Sequence, residues 1–71
     1  MDTRGRRDLL GRRIREAREV AGLSQRELSL MASTNQSYLW EVETGRVSIG
    51  IDVLCRIADA LGVRVRDLVE F

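Results

Sequence analysis

An all-α fold of five short helices is what this sequence predicts, and three observations carry the prediction. The 71 residues include no proline, so no stretch is barred from continuing as helix. Four of the six glycines, Gly22, Gly45, Gly50 and Gly62, fall between stretches whose apolar residues recur at helical spacing. Between the first two of these glycines, two helix starts lie close together, at Ser24 and at Asn35.

In the first stretch Leu10, Ile14, Ala17 and Ala21 recur at intervals of 4, 3 and 4, one apolar stripe on a helix over about residues 9–21. Asp8 is placed to cap its start and Gly22 to end it. Residues 1–8, with Arg4, Arg6 and Arg7, are then a flexible basic arm, and residues 9–71 the folded domain. The second helix has the best-defined start. Ser24-Gln25-Arg26-Glu27 is a capping box, and Leu23 with Leu28 has the spacing of a hydrophobic staple, so a helix is expected over about residues 25–32. Ser33-Thr34 is a break of two residues before Asn35, which can cap a third helix over about 36–43 that ends at Gly45. Helices this short, separated by so little chain, cannot lie antiparallel. They must cross steeply, which is the spacing of a helix-turn-helix.

A fourth helix, about 51–61, places Ile51, Leu54, Ile57, Ala58 and Leu61 on one face between Gly50 and Gly62. The last turn, about 65–69, carries Val65, Leu68 and Val69. Its cap position is Arg64 and Arg66 opposes the helix dipole, so this turn depends on packing.

Composition narrows the function. A chain of this length buries only about 60% of its unfolded surface. One cysteine, Cys55, cannot form an internal disulfide, and with no histidine neither a zinc site nor imidazole acid-base chemistry is available. Cys55, beside Leu54, reads as a small hydrophobe. Apolar runs such as Leu30-Met31-Ala32 are far shorter than the roughly 20 residues that span a bilayer, and Arg4-Gly5-Arg6-Arg7 lacks the apolar stretch of a secretion signal. A reduced cytoplasmic protein that is not an enzyme, without cofactor, metal, membrane or small-molecule ligand, is expected. The formal charge is +1, with all twelve cations arginine. It is unevenly spread: residues 1–18 hold seven arginines and three acids, the rest five arginines and eight acids.

From Leu10 to Val69 the chain resembles the lambda-repressor-like helix-turn-helix domain, in its XRE branch of bacterial and phage regulators. Leu10-Gly11-Arg12-Arg13-Ile14-Arg15-Glu16-Ala17-Arg18, Gly22-Leu23-Ser24-Gln25-Arg26-Glu27-Leu28, Tyr38-Leu39-Trp40-Glu41-Val42-Glu43-Thr44-Gly45-Arg46 and Leu54-Cys55-Arg56-Ile57-Ala58-Asp59-Ala60-Leu61-Gly62-Val63 carry the resemblance. It implies a five-helix fold whose third helix enters the major groove of DNA, usually in a dimer. Arg18 borders the buried stripe and needs an acid partner; the resemblance pairs it with Glu43.

On the third helix Leu39 and Val42 have the spacing of an inward face, and Gln36, Ser37, Trp40 and Glu41 project away from it. These outward positions match the family's base-reading residues. Glutamine can bond adenine N6 and N7, serine either groove edge, and glutamate cytosine N4. The plainer alternative is a solvated helix face. Trp40 departs from the small polar residue common there and is expected to meet a thymine methyl, a sugar or a protein partner.

Phosphate contacts are expected from Gln25 with the start of the second helix, and from Asn35, Tyr38 and Arg46. Simple packing against the fourth helix is the alternative for Tyr38. Val63, Val65, Val69 and Phe71 are the expected dimer surface.

The function expected is a sequence-specific DNA-binding transcriptional regulator, repressor or autoregulator, acting as a homodimer on a two-fold operator. The ending after the fifth helix and the Ile49-Gly50 entry to the fourth are similar to restriction-modification controller proteins; phage repressors and antitoxins are the other open subclasses. The rival class is a helical protein-interaction module, antitoxin-like or a degenerate helix-turn-helix, that does not bind DNA.

Overall fold

The computed structural model describes residues 2–71 as five helices: α1 (Thr3–Val20), α2 (Gln25–Met31), α3 (Gln36–Glu43), α4 (Ile51–Leu61) and α5 (Val65–Val69). No strand occurs among the described residues. The fold is all-α, as expected. From α2 onward, helix bounds follow the sequence expectation to within one residue.

The start of α1 differs. The Asp2 carboxylate accepts a hydrogen bond from the Gly5 amide at 2.6 Å, and the helix runs from Thr3. Residues 3–8, expected as a flexible arm, are therefore the first turns of α1, and Asp8 lies inside the helix instead of capping it. Tertiary packing accounts for the extension. Thr3, Arg6 and Arg7 line one cleft with Val47, Ile49, Val69 and Phe71, and Asp8 sits against Gly45 just beyond α3. Met1 lies outside the described residues.

α1, α2, α3 and α4 all end in the same hydrogen-bonded reversal. In each, the two amides beyond the last turn reach back to carbonyls of that turn, as Gly45 N–H does to Val42 and Arg46 N–H to Glu41. The pivot residue must adopt a left-handed backbone. Gly22, Gly45 and Gly62 take that position in three helices, but after α2 it falls to Ser33, at φ 54°. The helix-turn-helix corner is thus closed by a residue with a side chain where glycine is the easy choice.

Among the described residues nine form the core: Ile14, Leu28, Ala32, Leu39, Val42, Leu54, Ile57, Ala58 and Leu68. α1 packs on α3 and α5, α2 on α3 and α4, and α4 on α5, so α3 is gripped from both sides. At Gly11 the α1 backbone comes so close to α3 that a Cβ there would lie 2.6 Å from the Glu43 carbonyl oxygen. Of the expected staple pair, Leu28 is fully buried and Leu23 packs beside the core. α5 has a start that Arg64 alone did not suggest, since the Asp67 carboxylate accepts from the Arg64 amide at 2.9 Å. Arg56 ties α4 to the end of α2 by donating to the Ala32 carbonyl at 2.8 Å.

Three apolar expectations fail at the surface. Ala21 is exposed because α1 turns back there. Ile51 is 65% exposed, being the first residue of α4 and about 60° around the helix from Leu54. Cys55, about 100° from Leu54, is exposed and is not a core hydrophobe. No helix among the described residues is long and apolar enough to cross a membrane.

Candidate nucleic-acid interface

The third helix is built as a two-faced element. Its cap is Asn35, whose side-chain oxygen accepts from the Tyr38 amide at 2.8 Å. Leu39, Val42 and Glu43 face inward and are buried, whereas Gln36, Ser37 and Trp40 are exposed and Glu41 is half-buried. The Thr44 hydroxyl donates to the Trp40 carbonyl at 2.8 Å, closing the last turn.

Glu43 is the anchor of the inward face. Arg18 grips its carboxylate with two donors, Nε to Oε2 at 2.7 Å and Nη2 to Oε1 at 3.1 Å. A third guanidinium nitrogen donates to the Leu23 carbonyl at 3.0 Å, which fixes the α1–α2 connection to the same group. The side chains of Arg18 and Glu43 are only 13% and 3% exposed. The hydrogen bond to Glu43 raises the Arg18 pKa above its ordinary value despite burial.

Gln25, expected at phosphate, completes this network: its amide donates to Glu43 Oε1 at 3.1 Å. One residue from each of α1, α2 and α3 therefore meets at one carboxylate. Sequence reasoning missed the Gln25 contact. Its position immediately after Ser24 fits a helix start equally well, and nothing in the spacing singles out a partner 18 residues away. The other arginine pairs of α1, Arg4–Asp8 at 3.5 Å and Arg15–Glu19 at 3.8 Å, are exposed and contribute little.

The outward face opens into a shallow depression of about 560 Å³ lined by Gln25, Gln36, Ser37, Trp40, Glu41 and Arg46. All four residues expected to read bases are thus brought together, with two of the four expected at phosphate. Tyr38 is half-buried and packs beside the core. Asn35 spends its side-chain oxygen on the cap and keeps its amide nitrogen for other partners. Trp40 is 45% exposed, and the Arg46 guanidinium lies over its ring, 4.8 Å from the centroid. That stack was not foreseen. It arises because the reversal at Gly45 folds Arg46 back along α3.

Two short helices crossing at a tight corner, the second presenting a polar outer face from a buried ionic anchor, is the arrangement of a helix-turn-helix. A family profile described as a helix-turn-helix domain matches residues 9–71. The chain belongs to the helix-turn-helix family. Among curated proteins it is similar to the control protein C.BamHI of Bacillus amyloliquefaciens, 30% identical over 64 residues, covering 89% of this chain and 79% of that protein. Among solved structures it is similar to the restriction-modification controller protein C.AhdI of Aeromonas hydrophila. There the TM-score is 0.91 and the identity 31%, covering 96% of this chain and 99% of that one. A second structure, the clp gene regulator ClgR of C. glutamicum, matches with a TM-score of 0.86 and 33% identity over 90% of this chain and 82% of its own. These relatives bear out the XRE-like resemblance read from the motifs.

On α5 and its flanks, Val63, Val65 and Val69 are half-buried and pack beside the core, so much of their apolar surface is already used within the chain. Phe71 is 54% exposed, with the Arg13 guanidinium 5.9 Å from its ring centroid. Arg13 also donates to the Glu70 carbonyl, which ties the end of the described chain back to α1.

Proposed function

We propose that this helix-turn-helix protein is a sequence-specific transcriptional regulator that binds duplex DNA as a homodimer, with α3 in the major groove. One observation carries the reading: the outward face of α3 gathers Gln36, Ser37, Trp40, Glu41 and Arg46 around one open depression, while its inward face is locked to α1 and α2 through Glu43. An exposed helix held this firmly can present donors and acceptors to base edges in fixed register.

The roles divide by position. Gln36, near the helix start, offers the paired donor and acceptor that match adenine; Ser37 and Glu41 supply further hydrogen-bonding choices. Asn35 and Arg46 at the two ends of the helix, and Tyr38 in its first turn, contact phosphates, which sets register without reading sequence. Gln25 keeps one amide hydrogen and its carbonyl oxygen for the backbone while bonded to Glu43. One such domain makes few base contacts. Two copies joined through Phe71 and the exposed edges of Val63, Val65 and Val69 would read half-sites about 34 Å apart on a two-fold operator. The likeness to controller proteins supports this arrangement and an autoregulatory or repressor role.

The test is selection of bound duplexes from a random pool, followed by affinity measurements across salt concentration. Binding should weaken steeply as salt rises. Gln36→Ala should flatten the preference at one base pair per half-site, and Arg46→Ala should weaken all sequences alike. No duplex binding even at low salt refutes the proposal.

A further inference from the structure

We infer that Trp40 is a positioning residue for Arg46: its indole face holds the guanidinium over the α3 surface and keeps that charge available to the DNA backbone. The inference rests on the DNA-binding reading above and concerns the one outward residue whose role that reading leaves open.

The depression on α3 contains one cation and one anion among its lining residues, Arg46 and Glu41. With no competing contact, two such groups would tend to pair. In the structure Arg46 instead lies on the Trp40 ring at 4.8 Å, and the ion pairs among the described residues are Arg4–Asp8, Arg15–Glu19 and Arg18–Glu43. Stacking on an aromatic face leaves the in-plane N–H donors of a guanidinium free, whereas a carboxylate would consume them. The backbone supports the same placement. Arg46 N–H bonds to the Glu41 carbonyl, so the residue is fixed where the chain reverses and its side chain lies back along α3.

The stack also explains why a large aromatic is tolerated on this face. Trp40 is 45% exposed, and the face it would otherwise offer to solvent has the Arg46 guanidinium over it. Tryptophan gives the strongest cation–π partner, ahead of tyrosine and phenylalanine. An alanine here removes the platform without changing the net charge of the protein.

The experiment compares wild type, Trp40→Ala, Trp40→Phe, Arg46→Ala and the double variant Trp40→Ala/Arg46→Ala, on the selected duplex and on a random-sequence duplex, across a salt series. Circular dichroism verifies that each variant is folded; Trp40→Phe keeps an aromatic ring should the alanine variant fail this check. Trp40→Ala should weaken binding about two- to fivefold and lower the salt slope by up to about 0.9, the loss of one phosphate contact. Trp40→Phe should restore most of both. The double variant should bind no worse than Arg46→Ala. As the single tryptophan of the chain, Trp40 should also change its fluorescence on Arg46→Ala in the free protein.

Additive losses with an unchanged salt slope for Trp40→Ala would overturn the inference, because they mean that the indole touches DNA directly. So would unaltered binding by Trp40→Ala. Failure of the wild-type protein to bind either duplex is a separate outcome that overturns the DNA-binding reading itself, and this role with it.

Discussion

Removing the Arg18 guanidinium should be among the most damaging single changes in the protein, and its size can be worked from the geometry. Arg18→Ala deletes the donors at 2.7 and 3.1 Å from Glu43 and leaves a carboxylate only 3% exposed with the Gln25 amide as its hydrogen-bonding partner. Breaking a buried pair by removing one member costs about 3–5 kcal/mol, because the other charge stays buried without compensation. At roughly 0.05–0.15 kcal/mol per residue a domain of this size has a total stability of about 4–11 kcal/mol. The loss is thus at least about a quarter of the whole. With a urea m-value near 1 kcal/mol/M, the unfolding midpoint followed by circular dichroism should drop by about 3 M or the protein should unfold outright.

A companion variant makes the assignment specific. Arg18→Ala/Glu43→Gln should recover part of the loss, since it removes the orphaned charge. An Arg18→Ala unfolding stability within about 1 kcal/mol of wild type at neutral pH would refute the reasoning.

Other changes test separate features. Ser33→Gly relieves a left-handed residue at the corner between α2 and α3 and should stabilise by about 1 kcal/mol, seen as a thermal midpoint several degrees higher. Gly11→Ala introduces a Cβ 2.6 Å from the Glu43 carbonyl oxygen, with backbone on both sides, and should cost on the order of 1–3 kcal/mol despite alanine's better helix propensity. The hydrogen bonds from the Ser24 backbone and hydroxyl hold the Glu27 carboxyl below the usual glutamate range. Its contribution is therefore complete above that range and lost as pH falls through the lowered folded value, so Glu27→Gln should flatten the acid limb of the stability curve.

Much of this fold is readable along the chain because its signals are local. Ser24 and Glu27 bond each other three residues apart, and glycines stand where left-handed backbone is required, so four helices could be bounded from spacing alone. The first helix could not. Asp2 and Asp8 are equally good caps, and the choice is made far along the chain, where Gly45 leaves room for the Asp8 side chain. The site shows the same divide. That Gln36, Ser37, Trp40 and Glu41 share a face follows from helical phase. That Gln25 meets Glu43, and that Arg46 lies on Trp40, depends on how the chain reverses and crosses itself, which periodicity does not encode.

The close approach at Gly11 and the three-way grip on Glu43 both act on the C-terminal, inward side of α3. Outward positions 36, 37, 40 and 41 contribute no side chain to the core. Stability is in this way written on one side of an eight-residue helix and, on the proposed reading, recognition on the other. Substitutions accumulating on the outer side would retarget the protein while its melting behaviour stays put, so related chains can diverge in what they bind without first losing their shape. The scaffold is, by the same logic, a practical starting point for libraries randomised at those four positions, with Gly11, Arg18, Gln25 and Glu43 held fixed.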